Sequence, residues 1–374
     1  MRIVVNTAFL SKGYSNEFIV FLSVTFKHIS NLRVKDHFIF LCEKEHADYF
    51  KFGDNSAVYP VGPRKINTLV FKYWYDIKIP SLLKKYKADL FFSPGGICSS
   101  FTKLPQCILI CDPLFLIQPN LFTKNQLRTY DSNARKAAQK AKKIIVLSNG
   151  SKSKLTNTYS TPASQIDTIY NGIDGIAKKQ SDVAKEKIKL TYANGKEFFF
   201  CIESFHPNGN LVNLLKAFSL FKKRQQSNFQ LVIYRAKLNS DPLFTGQLEK
   251  YKYKADVQVI NINNNADPLE ILSAAYSFIH PVFIDDLSVS VLNAMNLSIP
   301  VITSSTSAVH ELTEGAALFV NPGEPQHIAE SMMRIYKDEK LRSELIDRGK
   351  AFAGNYSVKE TAEQVWHVIR NIPG

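Results

Sequence analysis

Short runs of Val, Ile and Phe alternate along this chain with longer stretches of helical period, and the alternation persists through both halves. In the first half the runs predict strands at Arg2–Asn6, His37–Leu41, Asp89–Ser93, Cys107–Cys111, Ile144–Ser148 and Ile166–Tyr170. The second half predicts Glu197–Ile202, Phe229–Tyr234, Val257–Ile260, Ser277–His280, Pro300–Thr303 and Ala317–Val320. Strands separated by helices imply βαβ units, hence parallel sheets covered on both faces. Two such sets predict an α/β protein of two doubly wound, Rossmann-like domains.

The polar stretch GIAKKQSDVAKEK after YNGID marks the boundary between them. The first domain is expected over residues 1–176 and the second over 177–356. The last helix, about 357–374, is expected to pack back on the first domain. Ligands of open parallel sheets bind beyond the carboxyl ends of the strands. That rule selects the loops SPGG (93–96), CDPL (111–114), LSNGS (147–151), ESFHPNGN (203–210), YRAK (234–237) and VFIDDLS (282–288). Facing sheets with such loops predict a cleft between domains, a preferred place for a substrate.

Composition changes this picture little. The 374 residues suit two domains, and an apolar share of 45% supports sizeable cores. No apolar run approaches the ~18–20 residues of a membrane-spanning helix, and MRIVVNTAFL reads as a first strand rather than a signal peptide. Cys42, Cys98, Cys107, Cys111 and Cys201 show no CxxC spacing and are expected to be reduced, mostly buried thiols of a cytoplasmic protein. No Walker loop, GxGxxG, HExxH or GxSxG is present.

Charge changes it more. Residues 1–180 carry 26 Lys and Arg against 12 Asp and Glu, whereas residues 181–374 carry 21 of each. The whole excess of +14 lies in the first half. It points to an anionic partner there, such as a glycan, a lipid or a membrane surface, or to a basic surface without a partner. The stripe KAAQKAKK (136–143) could face such a partner or simply be solvated. The aromatic set VFKYWYDIKIP (70–80) could stack a sugar or pack in a core. The pI of 9.4 comes with no nucleic-acid-binding motif, so nucleic acid is not the expected partner.

From residue 197 onward the order of features resembles the GT-B glycosyltransferases of family 4. The resemblance is carried by HPNGNLVNLLKAFSLFKK, FQLVIYRAK, FIDDLSVSVLNAMNLSIPVITSS, VHELTEGAALFVNPGE and IAESMMRIYKDEKLRSELIDRGKAFAGNYS. VVNTAFL, IPSLLKKYKADLFFSPGG, IIVLSNGSKSKL and IDTIYNGID extend it over nearly the whole chain. It implies sugar transfer from a nucleotide-sugar donor, a UDP- or GDP-sugar, usually with retention at the anomeric carbon and with no metal or other cofactor.

Several positions depart from the family pattern. Its donor motif has a Glu, seven residues and a second Glu, where this chain has Asp285 and Asn293. The Gly-Phe-Gly between them is matched by Asp286, Leu287 and Ser288. Its phosphate loop reads Pro-Arg-Lys-Asn, where this chain has Pro207, Asn208, Gly209 and Asn210. Losing both cations should cost roughly 3–6 kcal/mol of donor affinity, about two to four decades in Kd. Backbone N–H groups of the helix starting at Ser288 and Val289 remain as phosphate donors. In the first half GYSNEF replaces a Gly-rich loop, Cys111-Asp112 replaces His-Asp, and Ser148-Asn149 replaces Ser-Glu. Asp112 and Glu311 survive, as do Asn171 and Gly172.

The resemblance makes Asp285 and Asp112 the catalytic candidates, and Asn208, Gly209, Arg235, Ser288, Val289, Asn293 and Glu311 the substrate-binding ones. Plainer roles stand beside these: Asp285 or Asp286 as a helix cap, Asn208-Gly209 as a turn, Asp112 as the shaper of an Asp-Pro turn. Arg235 replaces a Gly past which the donor runs. It is expected to fill the old donor pocket and pair with Asp285 or Asp286, or else to take over the diphosphate. Together the losses predict a weakened or inactive glycosyltransferase that binds a glycan or an active partner enzyme, peripheral to a membrane. A working retaining enzyme with unusual donor contacts is the alternative.

Overall fold

The computed structural model describes residues 1–8, 16–60, 68–174, 179–203, 209–235, 242–261, 266–312 and 315–372. Two compact units emerge: Met1–Asn171 with Val358–Gly374, and Gly172–Ser357.

The first unit is built on a seven-stranded sheet: β1 (Arg2–Asn6), β2 (His37–Cys42), β3 (Ser56–Pro60), β4 (Leu90–Ser93), β5 (Gln106–Ile110), β6 (Lys143–Val146) and β7 (Ile166–Thr168). Its order is β3-β2-β1-β4-β5-β6-β7, and every pairing is parallel. The second unit has six strands: β8 (Phe198–Ile202), β9 (Gln230–Arg235), β10 (Val257–Asn261), β11 (Ser277–His280), β12 (Val301–Ser304) and β13 (Leu318–Val320). They run β10-β9-β8-β11-β12-β13, again all parallel. Both sheets are doubly wound, and both reverse direction beside their first strand, as the GT-B expectation requires.

Twelve of these strands coincide with the apolar runs to within a residue or two. β3 was not among them. Its SAVYP lies at the sheet edge, half-buried to exposed and ending in proline, so no continuous apolar run announces it. The central strands show the opposite pattern: β4, β5 and β11 are buried at every position.

The last helix, Val358–Arg370, packs on the helix Asn16–Leu32 within the first unit. Trp366 meets Phe38 edge-on at 6.3 Å between centroids, under the Arg33 guanidinium at 5.4 Å, and Thr361 Oγ1 donates to the Tyr170 carbonyl at 3.1 Å. The chain leaves this unit at Asn171-Gly172 and returns beside it, where Ile173 bridges Ser357. A Cβ on Gly172 would lie 2.3 Å from the Ser357 carbonyl carbon. Glycine is therefore demanded there by a backbone crossing, not by flexibility.

All five cysteines are free and buried. Burial pushes the Cys42 thiol up to about 11 and Cys98 to about 12, so both stay protonated and inert. The aromatic stretch proves largely structural: Trp74 and Tyr75 enter the core that covers one face of β1, β2 and β4, and Tyr75 Oη accepts from Asn6 Nδ2 at 3.0 Å. Tyr73 and Ile77 remain exposed. Among the described residues no helix is long and apolar enough to cross a membrane.

Candidate functional site

In the second sheet β8 pairs with β9 on one side and β11 on the other. The loops leaving β8 and β11 therefore diverge, and the crevice between them is where a parallel sheet presents a ligand site. Asp285, Ser288 and Glu203 sit on these two loops, and Asn210 closes the first of them.

Asp285 does two things at once. Its Oδ1 accepts the Ser288 N–H at 2.8 Å, while its carbonyl accepts Ser288 Oγ at 3.0 Å and the Ala308 N–H at 2.9 Å. These bonds hold Ser288 at φ +52°, a left-handed conformation that favours glycine. A glycine, which the resemblance places at this position, would adopt that conformation without strain. Oδ2 of Asp285 is buried and has no hydrogen-bond partner among the described residues. The capping and binding readings of Asp285 thus divide between its two oxygens.

His280 ends β11 beneath this loop. Its ring stacks on Phe278 at 5.6 Å, and its Nε2 stands 3.8 Å from Asp285 Oδ2, too far for a hydrogen bond. Its Nδ1 is likewise buried without a partner among the described residues. Burial pushes the imidazole below its ordinary value, and the neighbouring Asp285 carboxylate opposes that shift.

Arg235 departs from expectation. It does not pair with Asp285 or Asp286. Its Nε and Nη2 hold the two Glu203 carboxylate oxygens at 2.8 and 3.1 Å, with the Phe244 ring 5.3 Å from the guanidinium carbon. Glu203 is the first residue past β8, and its N–H donates to the Tyr234 carbonyl at 2.8 Å. A carboxylate one strand away was a nearer fork for the guanidinium than the aspartates of the β11 loop. The bidentate bond also engages the cation that would otherwise be available to a diphosphate.

Asn210, the retained last residue of the phosphate loop, is a clamp. Its Nδ2 donates to the carbonyls of Pro281 and Pro322 at 2.7 Å each, and its Oδ1 accepts Asn213 Nδ2 at 2.8 Å. It ties the start of the helix Leu211–Gln225 to the chain after β11 and after β13. Gly209 is buried just before it. Asn208 lies outside the described residues, as do residues 13–15 of the GYSNEF stretch and 175–178 of the interdomain stretch.

Val289 is half-buried at the first turn of the helix Val289–Asn296, and Asn293 is buried one turn further on the same face. Glu311 is exposed near the end of the short helix Ala308–Leu312. Asp112 belongs to the first unit. It follows β5 at φ +49° and its carbonyl accepts the Leu114 N–H at 2.6 Å, which is the turn-shaping role. Ser148 caps the helix Asn149–Tyr159 through the Ser151 N–H at 2.9 Å, and Asn149 Nδ2 donates to Tyr170 Oη at 2.8 Å. Among the described residues no three His, Cys, Asp or Glu side chains converge as a metal site requires.

His280, Glu203 and Asn210 were not among the sequence candidates. A signal existed for the first two, a polar residue closing or following an otherwise apolar strand.

A two-sheet GT-B architecture with its crevice at the β8–β11 reversal defines a class, and comparison with known proteins agrees with it. Residues 182–352 match the family of group 1 glycosyl transferases. The chain is 21% identical over 250 residues to O-antigen chain mannosyltransferase B of Escherichia coli, which covers 66% of this chain and 65% of that relative. Sucrose-phosphate synthase from Thermosynechococcus elongatus superposes with a TM-score of 0.79 at 15% identity, covering 99% of this chain and 98% of that one. Alr3699/HepE of Anabaena, solved in complex with UDP and glucose, gives 0.75 at 16% identity, covering 99% and 100%. The chain has the GT-B fold, and the segment that matches the group 1 glycosyl transferases lies within its second unit.

Proposed function

We propose that this chain is a glycosyltransferase with a weakened donor site, one that still engages the sugar of a nucleotide sugar but grips its diphosphate poorly. The observation that carries the reading is the Asp285 carboxylate. One oxygen is spent on the loop, and the other is a buried acceptor with no protein partner among the described residues. A buried polar atom left unmade is costly, and a sugar hydroxyl is a donor of suitable chemistry. Against tight binding stand the neutral residues at the phosphate loop and the engagement of Arg235 by Glu203.

In mechanism, transfer with retention rests on positioning and charge stabilisation, and both weaken when the diphosphate is loosely held. Asp285 orients the sugar, and Asn293 offers a neutral amide where the family pattern has a carboxylate. The Val289 N–H, at the start of the helix Val289–Asn296, is left for the phosphates, because the Ser288 N–H is spent on Asp285 Oδ1. The mannosyl transfer named for the Escherichia coli relative and the UDP-glucose bound by the Anabaena protein suggest GDP-mannose and UDP-glucose as first donors to try.

The acceptor side is proposed to be anionic, a glycan or a membrane surface. The positive excess lies in the first half, where Phe101, Ile77 and Tyr73 are 72%, 58% and 55% exposed. Ser100 joins these segments, its N–H donating to Asp76 at 3.2 Å and its carbonyl accepting Lys140 Nζ at 2.8 Å. Vesicle binding that is equal for neutral and anionic lipid would remove this part of the proposal.

Calorimetric titration with GDP-mannose and UDP-glucose, paired with a hydrolysis and transfer assay, tests the donor site. Kd values near millimolar and slow or undetectable turnover are expected. Micromolar binding with turnover would instead establish a fully working enzyme with unusual donor contacts.

A further inference from the structure

Two buried polar atoms without a hydrogen-bond partner among the described residues lie on neighbouring side chains at the β8–β11 reversal, and each residue is more than nine-tenths buried. They are Oδ2 of Asp285 and Nδ1 of His280. The 3.8 Å between His280 Nε2 and Oδ2 is about 1 Å beyond a charge-assisted hydrogen bond. A proton on Nε2 is the tautomer that aims a donor at the carboxylate and leaves the Nδ1 lone pair bare.

We propose that His280 is a positioning residue for Asp285: while its ring is neutral Oδ2 stays in the crevice to accept a donor-sugar hydroxyl, and once its ring is protonated Nε2 draws Oδ2 away. This rests on the reading of Asp285 as a sugar-binding group and adds a second residue that controls it.

The surroundings leave Asp285 as the charge that acts on the ring. Thr303 stands opposite His280 in register on β12, and its Oγ1 donates to the His280 carbonyl at 3.2 Å. On β8 the titratable residue is Cys201, which packs with Ile279 on the other face of the sheet from Phe278. Glu203, just past β8, is bound to Arg235. The helix Val289–Asn296 brings no charged side chain, and Glu270 of the helix Pro268–Ser273 is exposed. Asp286 is the second carboxylate of the loop and is buried, but Asp285 is the group that opposes the burial of His280. Because burial favours the neutral ring, the switch operates below the ordinary histidine range near 6.5 and not at neutral pH.

The test follows GDP-mannose and UDP-glucose binding by saturation-transfer NMR, which reads millimolar affinities, from pH 7.5 to 5.0 with folding checked by circular dichroism. Wild-type affinity should fall about tenfold across the range, one hydrogen bond to a charged group being roughly 1.4 kcal/mol. His280→Phe, which keeps a stacked ring without nitrogens, should bind as the wild type does at pH 7.5 and show no acid limb down to pH 5.5. The ¹⁵N shifts of the His280 ring give a ligand-free readout, with the Nε2–H tautomer expected at neutral pH. Equal binding by wild type and Asp285→Asn at every pH would overturn the sugar-binding reading itself. Loss of binding in Asp285→Asn with an unchanged pH profile in His280→Phe would overturn the role of His280 alone.

Discussion

Two carboxylates leave adjacent strands of the second sheet, Glu203 after β8 and Asp285 after β11, and their fates differ. Glu203 is answered on both oxygens by a guanidinium, whereas Asp285 is answered on one. The first arrangement is complete within the protein and serves the fold. The second leaves an acceptor in a crevice where chain topology favours ligands, and a partly satisfied buried group calls for a role outside packing. Charge alone does not separate the two, because both side chains are buried or nearly so. Hydrogen-bond completeness does.

Glu203→Gln should break this contrast most severely. It strands a buried guanidinium, and removing one partner of such a pair costs about 3 kcal/mol. Denaturant melts should show that loss, and Glu203→Gln with Arg235→Met should recover most of it. If the single variant melts like the wild type, the pair is not structural.

Asn210→Ala comes next. It deletes the donor to two buried carbonyls and the acceptor for Asn213, so a loss of about 2 kcal/mol is expected. Asp285→Asn should cost less than about 1 kcal/mol in the same melts, since the amide oxygen can still accept the Ser288 N–H. Its effect belongs in binding: sugar affinity measured at pH 7.5 should drop about tenfold while thermal stability barely moves. A large stability loss without a binding change would invert the comparison and make Asp285 structural.

The smallest effect is the pH dependence of stability. His280 has a lower pKa folded than unfolded, so the unfolded chain takes up the proton first as pH falls. Its contribution is therefore constant above about 6.5 and declines below it, by up to about 1.4 kcal/mol per pH unit. The difference between wild-type and His280→Phe melts from pH 7.5 to 5.0 isolates this residue, and a flat difference would mean that the ring is not buried neutral.

The pattern of apolar runs, read with no other information, was enough for two parallel doubly wound sheets, because strands buried on both faces must be apolar throughout and helices must intervene. The strand ends, and so the loops that matter, came with them. Motif spacing placed Asp285, Ser288 and Asn293 on one loop and helix, since that is a matter of local chain order. Gly172 could be noted as retained, but the Ser357 backbone that excludes a Cβ is 185 residues away and appears only when the chain returns.

Side-chain partnership was decided by tertiary structure alone. Arg235 had three buried or nearly buried carboxylates within two strands of its own, and sequence offered no way to choose among them. The register of β8 against β9 placed Glu203 within reach of its fork, and a bidentate bond fixed the choice. His280 is an isolated polar residue in an apolar strand until the β11 loop folds Asp285 back over it. Hydrophobic periodicity is written locally because burial is a property of each residue. Pairing between charges depends on angstroms between distant segments, and only the packed sheet supplies those.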